Sequence, residues 1–562
     1  MFCVLTGDCS FINDIKMTLP VYVVCFIYTI VVIQEVTSIS GCPDIKHCVC
    51  SRNKGTKKKN VFENVECFGE FSFKDFNTPS IRKNGILSLN LRNTSERNLT
   101  NRTFRNMKLE ELYISDQATT FSNTSFDSLS ETLHILYLEN VNISRTWILD
   151  FLRNMTVLDT LYLDRNGIYP ERFPDHVFSK LNLTSLTYLS LRNCGIAQMS
   201  DQALHGLESL ESLDLSNNHL PTVPKTILLL RNLKKIDLSH NARLIYVEDR
   251  AFMTLQRLEE IDLSHTGVNT LLEDSFEGLE ECLQIITIHH AKMAHGYFST
   301  MRKLRHLIHL DISYNYITEM HNTSFLGFSS LQELDVSGQR DEKGEAVTNF
   351  IDSTFRGLET KLLVLKMRDL QMTSLPLAAL TSLRILHVLD VSDNNFTELY
   401  ESFFYGVRSE TIYVQNCSIG YVNKDAFDTV SSGVNIYLDN NNIKNISFIL
   451  DTAPCQFRKL SFTYNPVQCD CDVIEIASSN MVPELVGACA DELYRGENFA
   501  GLHEFPIARN GCDAEHFQNS SLCTYMIVRS TSSAHSFDSK LLEMVFLGLL
   551  VIYLVTGSHN LR

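Results

Sequence analysis

Leu210-Glu-Ser-Leu213-Asp-Leu215-Ser-Asn-Asn218-His-Leu220 lies near the middle of a 562-residue chain, and Leu307-Ile-His-Leu310-Asp-Ile312-Ser-Tyr-Asn315-Tyr-Ile317 repeats its spacing. Further copies begin at Leu133, Leu158, Leu186, Leu233, Leu258, Leu331 and Leu386. Roughly sixteen can be counted between Leu87 and Pro466, at a period of about 24 residues. Alternation with period two puts Leu213 and Leu215 on one side of a short strand and Asp214 on the other. One such strand cannot bury its apolar side alone. Copies stacked side by side can, so the template predicts a parallel sheet running along a solenoid.

Two further positions recur. Asn166, Asn218, Asn241, Asn315, Asn394 and Asn441 fall where the chain leaves the strand, and an inward amide there supplies both a donor and an acceptor to buried backbone. Cys194 and Cys417 occupy the same slot, which implies buried thiols with a structural role. On the far side of each coil stand Phe104, Phe126, Phe178, Phe252, Phe276, Phe325, Phe355, Phe403 and Phe427, usually with Leu three residues on. They are expected to stack as a buried spine between irregular or short helical turns.

The remaining features point to export. The chain carries net charge −17 with basic residues confined to short runs such as Lys57 to Lys59, which gives a nucleic-acid partner little support. Lys16, the apolar run Leu19 to Ile33 and Ser38-Ile-Ser40 read as a signal peptide cleaved near Gly41, or as a signal anchor, with Met17 an alternative start. Sequons at Asn93, Asn98, Asn101, Asn123, Asn142, Asn154, Asn182, Asn322, Asn395, Asn445 and Asn519 agree with secretion. Near the C-terminus, small residues around Ser532, a polar spacer and the apolar run Met544 to Val555 follow the order of a lipid-anchor (GPI) signal, with Ser532 the expected attachment residue. A membrane helix is the alternative, although the run is short of the roughly 20 residues a span requires.

The template, the phenylalanine spine and the closing Asn465-Pro466-Val-Gln-Cys469-Asp-Cys471 resemble extracellular leucine-rich-repeat proteins with cysteine-rich caps, a group that includes chaoptin-like and connectin-like adhesion proteins, Slit-type repeats and Toll-like ectodomains. The resemblance implies an α/β repeat solenoid, a leucine-rich-repeat horseshoe with a parallel concave β-sheet and disulfide caps at both ends. Family practice would pair Cys42 with Cys50, Cys48 with Cys67, Cys469 with Cys489, and Cys471 with Cys512, although the Cys50 to Cys67 spacing departs from the usual N-terminal cap. Cys282, Cys455 and Cys523 have no family slot. The expected organisation is a signal peptide over 1–40, an N-terminal cap over 41–85, repeats over 86–466, a C-terminal cap over 467–524, a spacer over 525–540 and a hydrophobic tail over 541–562.

Candidate binding residues follow from the strand geometry. The residue between the leucines faces the concave side, where the centre of the chain places Asp214, Asp237, Asp262, Asp311, Asp335 and Asp390. The ends of the same column read Tyr113, Tyr137, Tyr162 and then Tyr413, Tyr437, and tyrosine suits protein interfaces. Two residues beyond the second leucine, His240, His265 and His290 take equivalent positions in successive coils with His289 beside them. Such rows bind a metal, repel when protonated, or stand as solvated side chains, and no fourth ligand is evident. Gly338-Gln-Arg-Asp-Glu-Lys-Gly344 reads as a projecting loop, a site for binding or a tolerated insertion.

The chain has no phosphate-binding glycine loop, no His-Glu-x-x-His and no glycine-flanked nucleophilic serine, so neither a reaction nor a cofactor is expected. The expectation is a cell-surface recognition or adhesion protein that binds an extracellular protein or receptor through its concave face and loops, homophilic pairing being one form. The rival is a soluble or tethered innate-immune ligand-binding ectodomain or decoy without a signalling domain.

Overall fold

A computed structural model describes residues 47–51, 62–70, 73, 86–479, 481–490 and 498–499, with gaps at 96, 142, 144–146, 148, 169–170, 342, 345–348 and 454. They belong to a compact unit spanning 42–523. The expected signal peptide and C-terminal tail, Cys42, Cys512, Cys523, Asn142, Asn519 and Ser532 lie outside the described residues.

The short strands predicted from the leucine alternation form one sheet, extended at its ends by Cys48–Ser51, Phe62–Gly69 and Glu484–Val486 to 19 strands among the described residues. Each strand pairs with the next along the chain: Ser212–Asp214 with Lys235–Asp237, that with Glu260–Asp262, and so on to Glu484–Val486. Pairing is parallel except at the start, where Cys48–Ser51 lies antiparallel to Phe62–Gly69. In-register pairing of Leu213, Ile236, Ile261 and Ile286 stacks the apolar sides coil upon coil, and all four are buried. On the other side of the coils, five small two-stranded ladders among the described residues, such as Tyr246–Val247 with Thr270–Leu271, are interspersed with short helical turns such as Lys225–Leu229.

All nine spine phenylalanines are buried, and rings meet face to face at Phe104 with Phe126, Phe252 with Phe276 and Phe325 with Phe355. Between the last repeats the stacking partner of Phe427 is Phe404 rather than Phe403, although both are buried. Coils approach closely enough that a Cβ on Gly278, at φ +93°, would lie 2.6 Å from the Met253 carbonyl of the coil before.

The strand-exit amides join the coils. Asn218 Oδ1 accepts from the backbone N–H groups of Cys194 and Ile196, each at 3.0 Å, while its Nδ2 donates to the carbonyls of Leu191 and Leu215, each at 2.9 Å. Asn394 and Asn441 repeat this set. Cys194 and Cys417 are free, buried thiols that donate to the carbonyls of Leu163 and Val391. Burial pushes the Cys417 thiol up to about 12, so it does not ionise at physiological pH.

One expectation is corrected here. Gln339, read as part of a projecting loop, is fully buried and occupies the amide slot of its coil, with Oε1 accepting from Ile317 N–H at 3.1 Å and Nε2 donating to Ile312 O at 2.8 Å. The longer glutamine side chain supplies the same two groups. Arg340 is held by the carbonyl and carboxylate of Asp369.

The ends are disulfide-bonded. Cys48 pairs with Cys67 and Cys469 with Cys489. Cys50, Cys471 and Cys455 are also disulfide-bonded. Among the described residues no helix is long and apolar enough to cross a membrane.

If the amide ladder joins the coils, Asn218→Ala leaves two buried N–H groups without an acceptor and destabilises the repeat unit by about 2–4 kcal/mol. Denaturant unfolding followed by circular dichroism measures this. A loss below about 1 kcal/mol, the worth of a single ordinary hydrogen bond, would show that the amide is dispensable.

Candidate ligand-binding face

Register turns single residues into columns. Tyr113, Tyr137 and Tyr162 pair in sequence, Ser190 follows, and then come Asp214, Asp237, Asp262, Thr287, Asp311, Asp335, Lys366, Asp390, Tyr413 and Tyr437. The expected acidic column is therefore assembled in one line, interrupted by Thr287 and Lys366. At its N-terminal end the phenol rings stack, with centroids 4.2 Å apart for Tyr113 and Tyr137 and 3.9 Å for Tyr137 and Tyr162. Tyr413 and Tyr437 stack at 4.6 Å, and Lys459 Nζ sits 5.2 Å over the Tyr437 ring.

Each aspartate of the column also has work in the fold that its sequence position does not announce. Asp214 Oδ1 accepts from Ser216 N–H at 2.8 Å, and the same two-residue bond recurs at Asp237, Asp262, Asp311, Asp335 and Asp390. This local turn starts the bend out of the strand. It also half-buries the carboxylates at the strand spacing of about 5 Å, where they repel one another. Burial, with Asp214 and Asp262 beside it, raises Asp237 to about 7, and burial with the charge of Asp311 raises Asp335 to about 6.

A second column on the same face was not foreseen. Residues two before each aspartate share its side of the strand, and Lys235 binds Glu260 there with Nζ and Oε1 2.6 Å apart. Farther along, Glu333 Oε2 meets His309 Nδ1 at 3.0 Å while its Oε1 takes Lys366 Nζ at 2.6 Å. Burial alone would lift Glu333, but these two partners outweigh it and hold the carboxyl down to about 2. The signal in sequence was the charge at Lys366 within an otherwise acidic column.

The predicted histidine row forms. His240 stacks on His265 with centroids 4.4 Å apart, His265 on His290 at 4.6 Å, and His290 on Tyr314 at 4.4 Å. His289 turns back to meet the row, its Nδ1 lying 3.0 Å from His290 Nδ1. The ten sequon asparagines among the described residues, Asn93, Asn98, Asn101, Asn123, Asn154, Asn182, Asn322, Asn395, Asn416 and Asn445, are all exposed. No sequon falls between Asn182 and Asn322, the stretch that carries the histidine row and four of the column aspartates.

The chain matches the family "Leucine rich repeat" over residues 156–220, 184–242, 231–293 and 296–340, and the family "BspA type Leucine rich repeat region (6 copies)" over 348–463. It belongs to the leucine-rich-repeat proteins, and its disulfide-bonded ends mark it as one of the extracellular members with cysteine caps. Among curated relatives it is similar to Tsukushi of Xenopus tropicalis, 32% identical over 32% of this chain and 51% of that protein. It is also similar to Chaoptin of Drosophila melanogaster, 24% identical over 66% of this chain and 30% of that protein. The chain thus spans about half the length of the Tsukushi relatives it matches. Among solved structures, that of a TLR13–ssRNA13 complex superposes with TM-score 0.56 at 19% identity, over 80% of this chain and 70% of the other, a likeness of fold alone.

The raised carboxyl of Asp237 has a consequence for stability. The folded chain holds this proton to about pH 7, whereas an ordinary aspartate releases it near 3.8, so this group stabilises the fold increasingly as pH falls from 7 toward 4. Asp237→Asn keeps an Oδ1 acceptor for Ser239 N–H and removes the charge. It is expected to raise stability at pH 7.5 by about 1 kcal/mol or more, with the advantage over wild type shrinking by pH 5. Thermal unfolding of both proteins at the two pH values tests this, and a less stable variant at pH 7.5 would contradict it.

Proposed function

We infer that this is a cell-surface recognition or adhesion protein whose sheet face binds an extracellular protein ligand. The observation that carries the reading is the coincidence of two features. The sheet face presents unbroken side-chain columns, and its central coils lie in the one long stretch of the repeat that lacks glycan acceptors. Stacked tyrosines at Tyr113, Tyr137 and Tyr162 offer a rigid aromatic contact with polar tips, and the aspartate column favours a partner with basic surface. The same acidity speaks against an RNA ligand of the kind named for the TLR13 complex. The column aspartates of the face are engaged in turn bonds of the repeat, which suits a binding surface better than a catalytic one.

The membrane end of the reading is a lipid anchor at Ser532. Full-length protein expressed in animal cells and carrying an epitope between Asn519 and Ser530 should be released by phosphatidylinositol-specific phospholipase C. Retention after treatment would favour a membrane helix, and spontaneous appearance in the medium would favour the soluble, ligand-capturing form.

Binding is tested with multimerised ectodomain on a panel of extracellular proteins and on cells displaying the chain itself. Tyr137→Ala with Tyr162→Ala should weaken the strongest interaction by about 2 kcal/mol or more, roughly thirtyfold, whereas Arg250→Ala on the far side should leave it unchanged. The reverse pattern would place the interface off the sheet face.

A further inference from the structure

Within the run of coils from Asp214 to Asp390, six carry aspartate followed by serine two residues on, as in Asp237 and Ser239 or Asp311 and Ser313, and four of these add the asparagine. Two coils abandon the pattern. One has Lys366, Arg368 and Leu370, whose cations are paired within the fold to Glu333 and Asp393. The other has Thr287, His289 and Ala291, and no internal ion pair accounts for its histidines among the described residues. The preceding coil also lacks the amide, with Thr266 in its slot.

The backbone does not demand histidine here. The row position is left-handed in every coil, at φ 56° for His240, 54° for His265 and 51° for His290, and Asn140, Asn193, Asn217, Asn416 and Asn440 satisfy the same requirement elsewhere. A stacked row would also form without His289, which stands in the serine slot yet reaches the row. One nitrogen from each of His265, His289 and His290 lies within 4.8 Å of the other two. One proton sits between the two Nδ1 atoms that face each other at 3.0 Å, donated by one ring to the lone pair of the other, so the contact requires at least one of the two imidazoles to be neutral.

We propose that His265, His289 and His290 form a three-imidazole site for a divalent transition-metal cation of the zinc type, with the remaining position open to water or to a donor from a bound partner. Zinc–nitrogen bonds of about 2.0–2.1 Å in a tetrahedron set ligand nitrogens about 3.3 Å apart. The His289 and His290 pair is near that separation, and His265 closes the rest, at most about 1.5 Å, by rotating its ring. His240 stacks on the outer face of His265. Asp262 and Asp311 act on His240 and His290 and bring negative charge to the cluster, against which Arg192 is the nearby cation. Burial keeps His265 and His290 toward the neutral form, which is the form that ligates. The site stands independently of the protein-ligand reading.

The test uses the chain as secreted from animal cells, with an affinity tag free of histidine and metals stripped by chelator. Zinc chloride is titrated by calorimetry, and cobalt(II) by visible absorption. The wild type should bind one equivalent at micromolar concentration with tetrahedral-type cobalt bands. His289→Ser, and separately His265→Asn with His290→Asn, install residues that other coils carry in these slots, and each should weaken binding about a hundredfold. In wild type, zinc should protect His265, His289 and His290 from diethyl pyrocarbonate while leaving His219 reactive, a readout that needs no variant to fold. Unchanged affinity in both folded variants, no stoichiometric zinc isotherm, or equal modification with and without zinc would each overturn the proposal.

Discussion

A strand of three residues leaves carbonyls and amides inside the molecule as the chain turns, and a single side-chain amide answers both, across two coils. Asn218 takes the N–H groups of Cys194 and Ile196 and gives its own hydrogens to Leu191 and Leu215. Buried backbone groups left unpaired cost more than the net worth of the bonds that satisfy them, so this position is constrained by penalty rather than by gain. That explains the chemistry tolerated there. Gln339 reproduces the amide, Cys194 and Cys417 keep a weak donor, and in each such cysteine coil the neighbouring coil's asparagine receives the thiol residue's own N–H.

Because the ladder fixes coil to coil at the strand spacing, every other position becomes a column whether or not its occupants tolerate one another. Aromatic residues gain from this, as the ring distances of Tyr137 and Tyr162 show. Carboxylates do not, and the same spacing that aligns Asp214, Asp237 and Asp262 raises the proton affinity of the middle one. The local bond from each aspartate to the N–H two residues on favours ionisation, opposing burial and repulsion. An acidic sheet face is thus a by-product of turn chemistry as well as a recognition surface, and the two roles share the same atoms.

The sequence was most legible where one residue type has one job. Leucine alternation gave the strands, the phenylalanines gave the spine, and adding the period aligned Asp214 with Asp237 and His240 with His265 before any coordinates. What escaped was context. Gln339 looked like loop because its neighbours are charged and glycine-bounded, and only the register shows that it sits in an amide slot. The pairing of Glu333 with both His309 and Lys366 spans three coils and two columns, so no single repeat carries its signal. The disulfides of Cys48 with Cys67 and Cys469 with Cys489 followed the family pairing, whereas Cys455, which has no family slot, is also disulfide-bonded.

The two departing coils separate the halves of the repeat. Ile286 and Ile288 remain as buried as Leu310 and Ile312, and Leu365 and Met367 likewise, so the apolar stack continues while the polar set changes entirely. Apolar positions therefore specify the fold, and polar positions are free to differ wherever other partners can satisfy the turn. At Lys366 and Arg368 those partners are carboxylates of neighbouring coils, and the departure is closed within the structure. Among the described residues the side-chain hydrogen-bond partner of His289 is another imidazole, His290 of the same row. A lapse in the polar template that the fold itself does not repay is the place where chemistry outside the fold has the strongest claim to be acting.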